Sequence, residues 1–90
     1  MEHALGLEEM RLVEALRNRD EQAFAQLIRM YQAALLRVAL MYVSSRAIAE
    51  DVVQESWVAV LNGIDRFEGR SSLKTWIFRI VANRAKTRGQ

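Results

Sequence analysis

The stretch from Asp20 to Val43, DEQAFAQLIRMYQAALLRVALMYV, decides the fold. Within it Phe24, Leu27, Ile28, Tyr31, Leu35, Val38 and Met41 keep the spacing of one face of an α-helix. Asp20 stands where its carboxylate can accept from the free amides of a first turn. The spacing therefore predicts a helix over about 20–43, roughly six turns long. Toward the N-terminus, Leu12, Val13 and Leu16 make a shorter stripe and predict a helix over about 7–18. Toward the C-terminus, Ser44 or Ser45 can cap a third helix over about 46–62, with Glu50 and Asp51 favoured by its dipole. Its expected buried face is Ile48, Val52, Val53, Trp57, Val60 and Leu61, with Gly63 as the residue just past its end. Ile64–Ser72, IDRFEGRSS, reads as a loop anchored in the core by Phe67. Ser71 or Ser72 then caps a fourth helix over about 72–87, with Leu73, Ile77, Ile80, Val81 and Arg84 in register.

Proline is absent, and the four glycines, at 6, 63, 69 and 89, fall outside the strongly periodic stretches. No strand pattern competes. The expectation is an all-α chain, a compact bundle of about four helices forming one domain over 1–90. Ninety residues with 51% hydrophobic content support one small core and not two. Charged residues at 27% are close to the globular average of about 25%, which argues against wholesale disorder.

Composition excludes several functions. There is no cysteine, and His3 is the sole histidine, so thiolate chemistry, a Ser/His or Cys/His nucleophile system and a zinc site all lack their ligands or bases. No glycine-rich phosphate loop is present, and adjacent acids such as Glu8/Glu9 and Glu50/Asp51 diverge on a helix rather than converge on a substrate. The reading is of a non-enzyme with no cofactor, no metal and no small-molecule substrate. The cysteine-free composition fits a reducing cytoplasm, the acidic start MEHALGLEEM does not read as an export signal, and no run approaches the roughly 20 apolar residues of a membrane span.

The net charge of +2 hides a gradient. Residues 1–22 hold three bases and six acids, 23–64 hold three of each, and 65–90 hold seven bases against Asp65 and Glu68. A basic C-terminal quarter suits a phosphate-bearing partner, although charge alone fits a solvated face with a basic tail. Two faces carry more detail. On the third helix Asp51 and Glu55 lie one turn apart with Gln54 beside them and Val58 beyond, a patch for an arginine- or lysine-bearing helix or simply a solvated face. On the fourth, Arg79 and Asn83 share a face with Thr75, Lys86 follows, and Trp76 and Phe78 flank them; the preceding loop adds Arg66, Phe67 and Arg70. Bases interleaved with aromatics and amides suit single-stranded DNA: charge follows the backbone, rings take unstacked bases, amides read their edges. Trp76 fits either the core or such a platform.

The run DVVQESW (51–57), then FEG (67–69), then TWIFRIVAN (75–83), with AFAQLIRMY (23–31) before them, resembles region 2 of the extracytoplasmic-function sigma factors of the sigma-70 family. The resemblance extends over about Leu12 to Arg88. It implies docking on the clamp helices of the RNA polymerase β′ subunit through Asp51, Gln54, Glu55 and Val58. It also implies opening of the promoter −10 element and capture of the non-template strand, with a base flipped into a pocket, through Arg66, Arg70, Ser71, Ser72, Lys74, Trp76, Arg79, Asn83, Arg84 and Lys86. Lys74 stands near a position that is aromatic in some members. An anti-sigma factor is the other implied partner. The family's −35-reading region 4 is not in this sequence, so the chain is expected to be one domain cut at its linker. The alternative is a helical protein-interaction domain that mimics sigma toward polymerase or an anti-sigma factor, without sequence-specific DNA recognition. A helix-turn-helix reader of duplex DNA fits less well, because the loop before the fourth helix exceeds the usual turn of about three to four residues.

Overall fold

In a computed structural model, which describes residues 6–89, the chain forms four α-helices: α1 (Leu7–Arg17), α2 (Glu21–Leu40), α3 (Arg46–Gly63) and α4 (Leu73–Arg88). A 3-10 turn, Ile64–Arg66, continues directly from α3. The all-α expectation holds: the described residues contain no strand. His3 lies outside the described residues.

Side-chain caps set three of the four helix starts. The Asp20 carboxylate accepts from the amides of Gln22 (2.9 Å) and Ala23 (3.2 Å), Ser45 Oγ accepts from Ile48 N, and Ser72 Oγ accepts from Thr75 N. Each satisfies a donor that has no partner within its helix. α1 ends at Arg17, and Arg19, at φ 61°, turns the chain into the Asp20 cap.

α2 stops at Leu40, three residues short of the expected Val43. Met41 and Tyr42 tighten into i→i−3 bonds to Val38 and Ala39, and this turn carries Val43 into the core. Met41, expected on the apolar stripe, is 74% exposed as a result. Gly63 is not the left-handed residue past the end of α3. It is the helix's last residue, at φ −97°, because the chain continues helically to bury Ile64 completely. A Cβ at position 63 would press on the indole, meeting Trp76 Cζ2 at 3.2 Å.

One core unites the elements, and α4 lies against both α2 and α3 while α1 packs on α2 and the 3-10 turn. Leu16, Leu27, Leu35, Val52, Val53, Val60, Ile64, Ile77 and Val81 are fully enclosed. Burying each such aliphatic side chain contributes about 1.5–3 kcal/mol. On α3, Ala49 and Ser56 face inward where Ile48 and Leu61 were expected; Ile48 is exposed and Leu61 only half-buried. The buried Ser56 hydroxyl donates to Val52 O at 2.7 Å, and Trp57 Nε1 donates to Gln32 Oε1 at 2.7 Å, so neither polar group is stranded. On α4 the inward residue near the end is Ala85, not Arg84, which is exposed. No described helix is long and apolar enough to cross a membrane.

Candidate functional site

The loop Phe67–Ser72 and the outer face of α4 gather many of the residues expected to meet DNA. Phe67 is 6% exposed and pins the loop to the core, as its sequence context predicts. Gly69 takes φ 75°, a left-handed turn that brings the chain back toward Ser72. Trp76 belongs partly to the core and partly to the surface. It is half-buried, its ring 4.9 Å from that of Phe67 at 40°, with its far edge over Gly63. Trp76 also lines two cavities.

The first cavity, of about 310 Å³, is lined by Arg66, Phe67, Glu68, Arg70, Ser71, Trp76 and Arg79. The second, of about 520 Å³, lies between α3 and α4 and is lined by Arg66, Trp76, Ile80, Asn83 and Arg84 among others. Both volumes fall in the range of small-ligand pockets, about 300–1,000 Å³. Arg66, Phe67 and Trp76 are common to the two. Arg79 and Asn83 are exposed one turn apart, as their spacing requires.

Other expected residues are placed differently. Lys74 Nζ lies 5.6 Å from the Phe78 ring centroid and Lys86 Nζ 5.8 Å from that of Tyr42, so the two lysines follow the flank of α4 that faces α2. Ser72 is engaged as the α4 cap, and Ser71 Oγ donates to Ser72 O. Arg84 stands 3.9 Å from Glu55, and Arg88 reaches the same carboxylate at 3.3 Å. Arg70 pairs with Glu68 at 3.1 Å on an open surface.

Asp51, Gln54, Glu55 and Val58 are all exposed on α3, Val58 at 56%. Val52, Val53, Ser56 and Trp57 turn inward, which leaves these four on the outside. The acidic patch and the basic surface are therefore contiguous, joined where Glu55 meets Arg84 and Arg88.

Sequence reasoning missed three residues at the other end of the domain. Arg17 donates from Nε to Ile64 O (3.2 Å) and from Nη2 to Phe67 O (2.6 Å). Arg19 donates to Asp65 at 3.0 Å, and Glu9 Oε1 accepts from the α4 amide of Leu73 at 2.8 Å. These contacts cross 46 to 64 residues, beyond the reach of any local signal. The Tyr31 phenol is held above its ordinary pKa by burial and then by the nearby Glu9 carboxylate; its ring meets Phe78 edge-on at 5.9 Å.

Residues 27–88 match the family model for sigma-70 region 2. The chain is 39% identical over 80 residues to an ECF RNA polymerase sigma-E factor of Haemophilus influenzae, covering 89% of this chain and 42% of the relative. It is 33% identical over 79 residues to an RNA polymerase sigma-H factor of Pseudomonas aeruginosa, covering 88% and 41%. The chain thus spans about two fifths of the length of these curated relatives. A solved NMR structure of an engineered region 2 of sigmaE in complex with GTAAAA superposes with a TM-score of 0.78 at 32% identity, over 98% of this chain and 90% of that one.

Proposed function

The chain belongs to the sigma-70 family as a region 2 domain of the extracytoplasmic-function type, and from that premise we propose that it captures the non-template strand of a promoter −10 element while docked on RNA polymerase core. The observation that carries the reading is the pair of cavities walled by Trp76, ringed by the exposed cations Arg66, Arg70 and Arg79 and by the Asn83 amide. An unstacked base entering either cavity meets an aromatic wall on one side and donors on the other. The guanidinium groups attract the flanking phosphates and lose that attraction as salt rises. That a neighbour of the same fold is in complex with GTAAAA supports DNA binding by this domain.

The second contact is the α3 face. Asp51, Gln54 and Glu55 offer two carboxylates and an amide beside apolar Val58, a surface suited to an arginine-bearing helix such as the β′ clamp. Region 2 acts here by binding, opening DNA through the energy of strand capture.

The test uses three DNAs: single-stranded GTAAAA, its complement TTTTAC and the duplex. GTAAAA is expected to bind most tightly, and Asn83→Ala to erode the preference by about five- to tenfold, the worth of one lost base-edge contact. Reversing charge at Asp51 and Glu55 together is expected to abolish association with polymerase core while the circular dichroism spectrum stays helical. Equal affinity for all three DNAs would replace the strand-capture reading with that of a protein-interaction domain; retained core association would remove the α3 face from the interface.

A further inference from the structure

We infer that α1 is a brace for the base-capturing loop, and that Arg17 is a positioning residue for base selection. This rests on the strand-capture reading and adds to it residues of the N-terminal segment that are not among the proposed DNA contacts. The loop has little to hold its own shape. Among the described residues, no backbone-to-backbone hydrogen bond joins the chain between the Phe67 amide, which donates to Ile64 O, and the Trp76 amide, which donates to Ser72 O. Yet Phe67 and Arg66 line both cavities beside Trp76, so any drift of this segment reshapes both.

The restraint comes from the far end of the sequence. Arg17 grips two carbonyls three residues apart, Ile64 and Phe67. Arg19 holds Asp65 between them while also donating to the carbonyls of Leu16 and Arg17. Glu9 fixes the first amide of α4, at Leu73. The loop is thus pinned on both sides of its exposed turn, at the carbonyls of 64 and 67 before Gly69 and at the amide of 73 after it, with the exposed Arg19–Asp65 pair a lesser contact.

Arginine suits the central position for a geometric reason. Its planar guanidinium presents donors in a rigid fork that can span two acceptors at once, whereas a lysine ammonium is a point charge on a flexible stem. Arg17 lines neither cavity that flanks Trp76; with Asp65, Arg66, Phe67 and Glu68 it lines a third, on the α1 side of the loop, where its Nε and Nη2 donate to the Ile64 and Phe67 carbonyls.

Arg17→Lys separates bracing from charge, because it keeps the cation and removes the fork; Arg17→Met removes both. The ratio of affinities for GTAAAA over TTTTAC is measured for the wild-type chain and each variant, together with the amide chemical shifts of residues 64–73. In Arg17→Lys the ratio is expected to fall about fivefold or more, the scale of one lost hydrogen bond to a charged donor. The loop amides are expected to shift while those of α2 stay in place. A residue that served stability alone would weaken both strands in proportion and leave the ratio at its wild-type value; that result overturns the inference. Where the wild-type chain itself shows no strand preference, it is the strand-capture reading that fails, and the loop amides decide the brace: unmoved shifts in Arg17→Lys sink it, displaced shifts support it. Should Arg17→Met not fold, Arg17→Lys carries the comparison.

Discussion

At the scale of the residue, the most consequential side chains serve core and surface together. Trp76 packs on Phe67 and over Gly63 and also lines two cavities. Tyr31 sits in a similar position on α2, edge-on to Phe78 and near the Glu9 carboxylate. Because burial and Glu9 raise its pKa, the folded chain holds the phenolic proton more tightly than the unfolded chain does. The sign follows: the contribution is intact below about pH 10, where both states are protonated, and is lost as pH rises from there through the folded value. Tyr31→Phe is expected to show a smaller fall in Tm between about pH 9 and pH 11 than the wild-type chain. Equal falls would mean that Tyr31 ionisation is not what weakens the fold in alkali.

At the scale of the element, α3 and α4 are coupled through one carboxylate. Glu55 belongs to the acidic face yet receives both Arg84 and Arg88 from α4. These are partly exposed pairs, each worth about 0.2–1 kcal/mol, so they orient charge more than they hold the helices together. Neutralising the carboxylate leaves two cations available to phosphate. Glu55→Gln is accordingly expected to change stability by less than about 1 kcal/mol. It should also strengthen single-stranded DNA binding and steepen its dependence on log salt by up to about one unit. Affinity titrations across a salt series measure this; an unchanged slope would show that Arg84 and Arg88 do not reach the backbone. α1 differs from the other helices: it contributes Val13 and Leu16 to the core, but its polar residues reach the loop and the start of α4.

At the scale of the whole molecule, a single core supports both surfaces. The described chain measures 41 × 27 × 19 Å with a radius of gyration of 13.3 Å, slightly more extended than the roughly 12 Å typical of its length. A domain this small is stable by only about 5–10 kcal/mol. Leu27 is fully enclosed, and Leu27→Ala is expected to cost about 2–5 kcal/mol. In urea this appears as a lower midpoint at unchanged slope, with tryptophan fluorescence and circular dichroism moving together. Separate transitions for the two probes would show that the loop end, where Trp76 sits, unfolds independently of the core around Trp57.

The sequence by itself determined the helical class, the cap at Asp20, a serine cap for each of α3 and α4 to within one residue, the anchoring of Phe67 and the outward placing of Asp51, Gln54, Glu55 and Val58. All of these follow from spacing and short-range hydrogen bonding, which a linear string displays. The ends of α2 and α3 were less legible, because the burial of Val43 and Ile64 settles them and burial depends on what packs opposite. Only the tertiary structure decided that Trp76 serves two environments, that Lys74 and Lys86 follow the α2 flank and that Glu55 is shared with Arg84 and Arg88. The grip of Arg17 on Ile64 and Phe67 belongs to the same class. Those contacts join residues that only the packing of the four helices brings together, and periodicity carries no record of a partner that far along the chain.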